Sequence, residues 1–391
     1  MYLKELDNLK KQGLYRSMRV IEGAQGPRVK LEGKEVILLC SNNYLGLASH
    51  PLLKEAAKSA IEQYGTGAGA SRLISGTMSL HRELEERIAA FKGTESSLIF
   101  NSGYHANLSI ITTLVGRGDF IFSDKLNHAS LTDGCMLSRA TLKRYPHKDI
   151  NVLEGFLKKC SQSHIRKSRK LIITDGLFSM DGDIAPLKET LELAHRYDAM
   201  LMVDDAHGIG VMGANGCGTL EHLNIKDSGI IEMGTLGKAI GSFGAFVAGT
   251  KELTEMLINK ARPFIYTTAL PPSVCASAMA AFNVLEGEPE RRKALWERVS
   301  FLRDGLRDAG FNTLKSETQI IPILIGESDK TMEMSEELLR KGVFIQGIRP
   351  PTVPRGTGRL RATLMADLSY KDLKYALSML VEAGRKLGVI H

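Results

Sequence analysis

From position 49 the chain alternates two apolar patterns. The first repeats at three- and four-residue spacing. The stretch 51–64 opens on Pro51 behind a Ser/His cap region and stops at Gly65, and 79–92 sets Leu80, Leu84, Ile88 and Phe91 on one face. That spacing predicts amphipathic helices. The second pattern is a set of short, nearly all-apolar runs bounded by Gly or Asp: SSLIF, DFIFSD, KLIITDG, MLMVDD, GIIEMG and GAFVAG. Such runs suit strands buried on both faces of a mainly parallel sheet. Helical patterns lie between several of them, for example 185–198 with Pro186 in its first turn.

The ends of the chain read differently. The opening sixteen or so residues, with Leu3, Leu6, Leu9 and Leu14, predict an amphipathic helix, and a short β stretch split at Gly33 follows over 29–40. After TTALPPS (267–273) comes a long helical stretch to about 309, interrupted near GEPE. QIIPILIG, a helix over 329–341, VFIQGIRPP and RLRATLMA then alternate with turns. The expected fold class is α/β: a large domain with a mainly parallel sheet covered by helices, plus a smaller C-terminal α+β domain. The expected divisions are 1–48 for the N-terminal helix and β segment, 49–272 for the large domain and 273–391 for the small one.

Composition narrows the class. The 391 residues are 43% hydrophobic and 24% charged, as in ordinary globular proteins. The net charge of +7 is spread thinly and gives no nucleic-acid signature. The basic run HIRKSRK (164–170) is expected to be a solvated connection before a strand. Five cysteines without C-x-x-C spacing argue against a zinc site or a disulfide framework. No metal is expected. A charged N-terminus without an apolar core and the absence of long apolar runs lead to a cytoplasmic expectation.

Ligands of open α/β sheets bind beyond the carboxyl ends of the strands. Five polar groups fall there. MLMVDDAHGIG places Asp204 and His207 past a strand, although an acid at a strand exit often only caps a turn. IFNSGYHAN offers Ser102, Gly103 and Tyr104 at a helix start, where a phosphate could bind; a plain strand–helix turn is the simpler reading. His128 in SDKLNHASLTDG could stack on a flat ligand or merely bond to backbone. Ser179 sits at the exit of KLIITD, with Asp181 and Asp183 expected to shape the turn and cap the next helix. GTLGKAIG puts Lys238 beyond GIIEM among glycines that allow close approach to a ligand, with Thr235 three residues earlier.

Together these residues describe a pyridoxal phosphate site. The lysine forms the Schiff base, an Asp keeps the pyridine nitrogen protonated, and the helix start and hydroxyls hold the phosphate. At this point a resemblance is apparent. VDDAHGIGVMG and GTLGKAIGSFGA resemble the α-oxoamine synthases, fold-type I pyridoxal phosphate enzymes. SNNYLGLASHP (41–51), GTGAGASRLISGT (65–77), YTTALPP (266–272) and RLRATLMA (359–366) extend the resemblance over nearly the whole chain.

The resemblance implies roles. Lys238 becomes the Schiff-base lysine and proton-transfer base, Asp204 the partner of the ring nitrogen, His207 a contact of the ring hydroxyl and His128 the stacking group. Ser179 lies close to the cofactor. Ser102, Gly103, Tyr104 and Thr235 serve the phosphate, with Thr267 reaching in from the other subunit of a homodimer whose sites lie at the interface. Arg361, Asn42 and Arg16 bind substrate, Arg361 through the amino-acid carboxylate. RYPHKDI (144–150) and IRPPTVPRGTGRLR (348–361) point to the branch that joins L-alanine to pimeloyl-CoA or a pimeloyl-carrier protein, with loss of CO2, in biotin synthesis. Glycine with acetyl-CoA, or both pairs, is the alternative. Asp367 and Leu368 stand where the family often has Ala-His. A relative that kept the fold without catalysis would most cheaply lose Lys238, which is present.

Overall fold

The computed structural model describes residues 2–162 and 168–391. Seven strands form its central sheet: β1 (Ser96–Phe100), β2 (Phe120–Asp124), β3 (Thr141–Tyr145), β4 (Lys170–Asp175), β5 (Met200–Asp204), β6 (Ile231–Thr235) and β7 (Ala245–Gly249). Their order is β1-β7-β6-β5-β4-β2-β3. All neighbours run parallel except β7, which is antiparallel to both β1 and β6.

The pleat explains why the strands read as continuous apolar runs. On β4, Leu171 and Ile173 pack into one cluster with Ile110, Ile111 and Leu131, whereas Ile172 packs into another with Leu153, Leu157 and Leu187. Both faces are therefore covered by helices, and each such fully buried side chain contributes about 1.5–3 kcal/mol relative to exposure. Each of the six stretches predicted to be helical holds a helix, and all six predicted strand runs form. The chain also holds β3, which the apolar pattern did not mark. It is an edge strand, TLKRY, with only Tyr145 buried.

The flanks depart from expectation in detail. The N-terminal helix covers only Tyr2–Lys11 and buries none of its residues. The β segment forms as Arg28–Leu31 and Lys34–Leu38, and the latter pairs in parallel with Val343–Phe344. Leu39 then donates to the Phe344 carbonyl and accepts from Thr363 N–H, so residues near 40 are stitched to the C-terminal region. There, Ile320–Gly326, Gly358–Thr363 and Gln346–Ile348 form an antiparallel sheet. The helix Leu187–Arg196 starts after Pro186, which holds the cap position, and has no side-chain cap. Asp183 is bonded elsewhere, as described below. Of the basic run 164–170, residues 164–167 lie outside the described residues. Arg169 is not simply solvated, since its guanidinium meets Asp119 at 2.7 Å.

Candidate active site

Lys238 sits in the loop that joins antiparallel neighbours β6 and β7. Leu236 N–H bonds to the Gly244 carbonyl at 2.9 Å and Ser242 N–H to the Leu236 carbonyl at 2.8 Å, which closes the loop tightly. Gly241 has φ 69°, and a Cβ there would lie 2.5 Å from Ala48 N and Leu47 C. A Cβ on Gly234 would lie 2.4 Å from the Phe246 ring. These two glycines thus serve the approach of protein to protein, not of backbone to ligand. The loop is pressed onto residues 47–48 and Lys238 is aimed back over the strand ends.

Lys238 Nζ lies 3.1 Å from His207 Nε2, and His207 Nδ1 lies 2.7 Å from the Tyr44 hydroxyl. Tyr44 O–H points at Asn42 Oδ1 at 3.1 Å, and Arg361 Nη1 donates to the same oxygen at 3.3 Å. One hydroxyl proton fixes the sequence of bonds. With Tyr44 donating to Asn42, His207 Nδ1–H donates to Tyr44, and Nε2 is left to accept from Lys238. Burial, helped by Lys238 and Arg361, holds the His207 pKa well below its ordinary value, so the ring is neutral. Burial also brings Lys238 down to about 8, opposed by Asp204 and assisted by Arg361.

A cavity of about 250 Å³ opens in front of the lysine. Its walls bring together Gly103, Tyr104, His128, Ser179, Asp204, His207, Thr235 and Lys238. Asp204 is buried at the end of β5. Its Oδ2 accepts from Asn107 Nδ2 at 2.7 Å and its Oδ1 from Ala206 N–H at 3.1 Å. Ser102 caps the helix Gly103–Leu114 by accepting from His105 N–H. A Cβ on Gly103 would lie 2.9 Å from the Thr235 methyl, so this helix start is open only because residue 103 is glycine. The Tyr104 hydroxyl is engaged away from the helix start, donating to Asp133 at 2.5 Å. His128 Nδ1 is held by Ser130 Oγ at 2.8 Å.

Arg361 and Asn42 join the network through Tyr44. Arg361 Nε donates to the Ser179 carbonyl at 2.5 Å, while its Nη2 is buried without a hydrogen-bond partner. Two of the sequence candidates lie elsewhere. Thr267 accepts from Asn101 Nδ2 at 3.3 Å and lines a separate small pocket with Arg72 and Phe264. Arg16 is exposed on a groove with Arg19, Phe344 and Arg349.

The sequence reading passed over four groups of this site. Asp175 ends β4 as Asp204 ends β5, and the two are register partners on neighbouring strands. Burial and the Asp204 charge push the Asp175 carboxyl well above the usual range. The strand-exit signal that marked Asp204 applied to it equally. Asn107 lies one turn beyond Gly103. Tyr44 and Gln319, whose Nε2 donates to the His207 carbonyl at 2.7 Å, carry no local pattern that marks them.

Comparison with known proteins places this geometry. The model of the class I and II aminotransferases matches residues 34–380. An 8-amino-7-oxononanoate synthase from Geobacter sulfurreducens is 56% identical, with 99% of this chain and 98% of the relative covered. One from Citrifermentans bemidjiense is 55% identical, with 100% and 99% covered. Among solved structures, a lysine-to-alanine variant of serine palmitoyltransferase from S. paucimobilis with a bound PLP–myriocin aldimine superposes at a TM-score of 0.93 and 34% identity, covering 100% of this chain and 98% of the other. The 8-amino-7-oxononanoate synthase of Francisella tularensis gives 0.77 at 29% identity, covering 90% and 98%.

Proposed function

The chain belongs to the class I and II aminotransferase family, with pyridoxal phosphate as its cofactor, and on that premise we propose that it condenses L-alanine with a pimeloyl thioester. The products are 8-amino-7-oxononanoate, the free thiol and CO2, as a step of biotin synthesis in the cytoplasm. The observation that carries the reading is a part-buried lysine, 3.1 Å from His207, that shares one cavity at the strand ends with the buried carboxylate of Asp204. The residues fit the cofactor. A helix start kept open by Gly103 suits a phosphate, and Asp204, held by two donors, suits a protonated ring nitrogen.

When bound, the cofactor supplies an electron sink for the pair left on Cα as a bond to hydrogen or to carboxylate breaks. The chain does the rest. Lys238 Nζ would hold the cofactor through its amine and, once free, would take the Cα proton of alanine. A pKa near 8 leaves it a useful neutral fraction at physiological pH. His207, neutral and bonded to Tyr44, stands 3.1 Å from Lys238 Nζ and would contact the ring hydroxyl of the cofactor. His128 would stack on its ring. Arg361 and Asn42 hold the alanine carboxylate, for which Arg361 Nη2 is free. Ser102, Tyr104 and Thr235 serve the phosphate, and Arg16 meets the acyl substrate from the exposed groove.

In this reading 49–272 holds the cofactor and 273–391 supplies Arg361. A homodimer completes the site, with Thr267 contributed to the neighbouring subunit. Ile74, Met136 and Tyr266 are large apolar side chains left 82%, 69% and 71% exposed, positions that a second copy could cover. Sedimentation of the parent and of Ile74→Asp tests this: a dimer weakened by the substitution is expected, and a monomeric parent rejects it. The activity is tested by thiol release from the holoenzyme with L-alanine plus pimeloyl-CoA against glycine plus acetyl-CoA. Preference for the first pair is expected. Preference for the second moves the enzyme to 2-amino-3-ketobutyrate formation.

A further inference from the structure

His147 lies in RYPHKDI, outside the cavity, and none of the roles assigned so far uses it. It follows β3 directly and is bonded at both ring nitrogens to carboxylates. Nδ1 is 3.1 Å from Asp124 Oδ1 and Nε2 is 3.0 Å from Asp183 Oδ2. Its ring stands edge-on to Phe178, 4.4 Å between centroids at 90°. Both nitrogens must donate, so the ring is an imidazolium. Burial opposes that charge, but the two carboxylates raise the pKa to about 9.

The two carboxylates sit on different elements, one leading into His128 and the other closing the turn of Ser179, and both of those residues line the cavity. Asp124 ends β2 and also receives Leu126 N–H at 2.8 Å, at the root of the loop that carries His128. Asp183 closes the turn 178–183: Phe178 N–H bonds to the Asp183 carbonyl at 3.0 Å and Gly182 N–H to the Phe178 carbonyl at 2.9 Å. Within that turn the Ser179 carbonyl receives Arg361 Nε, and the Met180 carbonyl receives Arg359 Nη1 at 3.0 Å. Lys148 Nζ adds a second cation on Asp183 Oδ2 at 3.0 Å.

We propose that His147 is a positioning residue for amino-acid recognition: it clamps the Phe178–Asp183 turn to the fixed end of β2 and so holds the Ser179 carbonyl where it aims the Arg361 guanidinium. This rests on Arg361 binding the amino-acid carboxylate. The clamp acts on substrate binding and leaves cofactor retention and the chemical step largely alone.

The test uses holoenzyme titrated with L-alanine, read from the visible absorption of the cofactor, alongside steady-state kinetics. His147→Gln removes one of the two bonds, and His147→Phe keeps a ring against Phe178 but removes both. The expected result is an alanine Kd raised about tenfold in His147→Phe and less in His147→Gln, with kcat within about threefold of the parent. In an Arg361→Lys background the His147→Phe effect is expected to shrink below twofold, because the clamped group is already displaced. Alanine Kd values unchanged in both His147 variants, with only a lower melting temperature, overturn the proposal and leave His147 a structural residue. Additive effects with Arg361→Lys overturn it as well. If the His147 variants do not fold, Asp183→Asn loosens the same contact from the other side and is expected to raise the alanine Kd; an unchanged value there rejects the clamp. Arg361→Lys by itself separates the two readings: no loss of alanine affinity removes the carboxylate assignment, whereas a loss there without one in the His147 variants removes the clamp alone.

Discussion

One strand serves two lysines with opposite fates, Lys92 buried and Lys238 half-buried. At the entry of β6, Glu232 meets Lys92 Nζ at 2.6 Å, with both side chains under a tenth exposed. At its exit stands Lys238, whose nearest bonded neighbour is the neutral His207. Burial pulls both lysines toward the neutral amine. For Lys92 the pull loses to Glu232 and Asp205, and the pKa rises; for Lys238 no carboxylate among the described residues is in direct contact, and the pKa falls to about 8. Lys92 also ends the helix Ser79–Lys92, where the dipole favours a cation, and it donates to the Cys217 carbonyl. Burial alone therefore does not lower a lysine's pKa. What sets Lys238 apart is the absence, among the described residues, of a contacting counter-charge, together with an open cavity before it.

The largest effect that sharpens this contrast is on chemistry. Lys238→Ala is expected to lose the visible cofactor band of the holoenzyme and at least about a thousandfold in thiol-release rate, since both anchoring and proton transfer go with one group. Retention of a tenth of the parent rate would break the comparison at its root. The next effect is on stability and concerns the other lysine. Lys92→Met leaves Glu232 charged and unpaired in the interior, which costs about 3–5 kcal/mol. Denaturant unfolding is expected to show that loss while kcat stays within about twofold of the parent. Adding Glu232→Met should restore most of it. An activity loss in Lys92→Met without a stability loss would mean that the two ends of β6 are coupled.

The same contrast explains what was legible in the sequence. The parallel strands are buried on both faces, so their apolar runs and the acids that end them stand out. Asp204, His207 and Lys238 were readable for that reason, and Asp175 was equally readable but not read. Edge strand β3 was missed because one buried residue in five makes no pattern. The glycines around Lys238 were visible, but their purpose was not. Gly241 admits the backbone of residues 47–48, a contact made across nearly two hundred residues. Asn42 and Arg361 entered only through resemblance, and Tyr44 and Gln319 not at all. Their positions depend on stitching residues near 40 onto the C-terminal sheet, which no local spacing encodes.

The smallest effect is the most direct probe of why Lys238 differs. The apo-protein reacts with pyridoxal phosphate through the neutral amine, so the rate at which the visible band appears should rise with pH and level off above a midpoint of about 8. An ordinary lysine would still be protonated there. Arg361 is one of the charges that depress this pKa, because a guanidinium disfavours a second cation nearby. Arg361→Met is therefore expected to move the midpoint upward while the plateau remains. A midpoint that stays in place would assign the depression to burial alone. A midpoint that falls would mean that Arg361 acts on Lys238 mainly through the Asn42–Tyr44–His207 chain of hydrogen bonds, and the carboxylate site and the reactive amine would then be joined by orientation and not by charge.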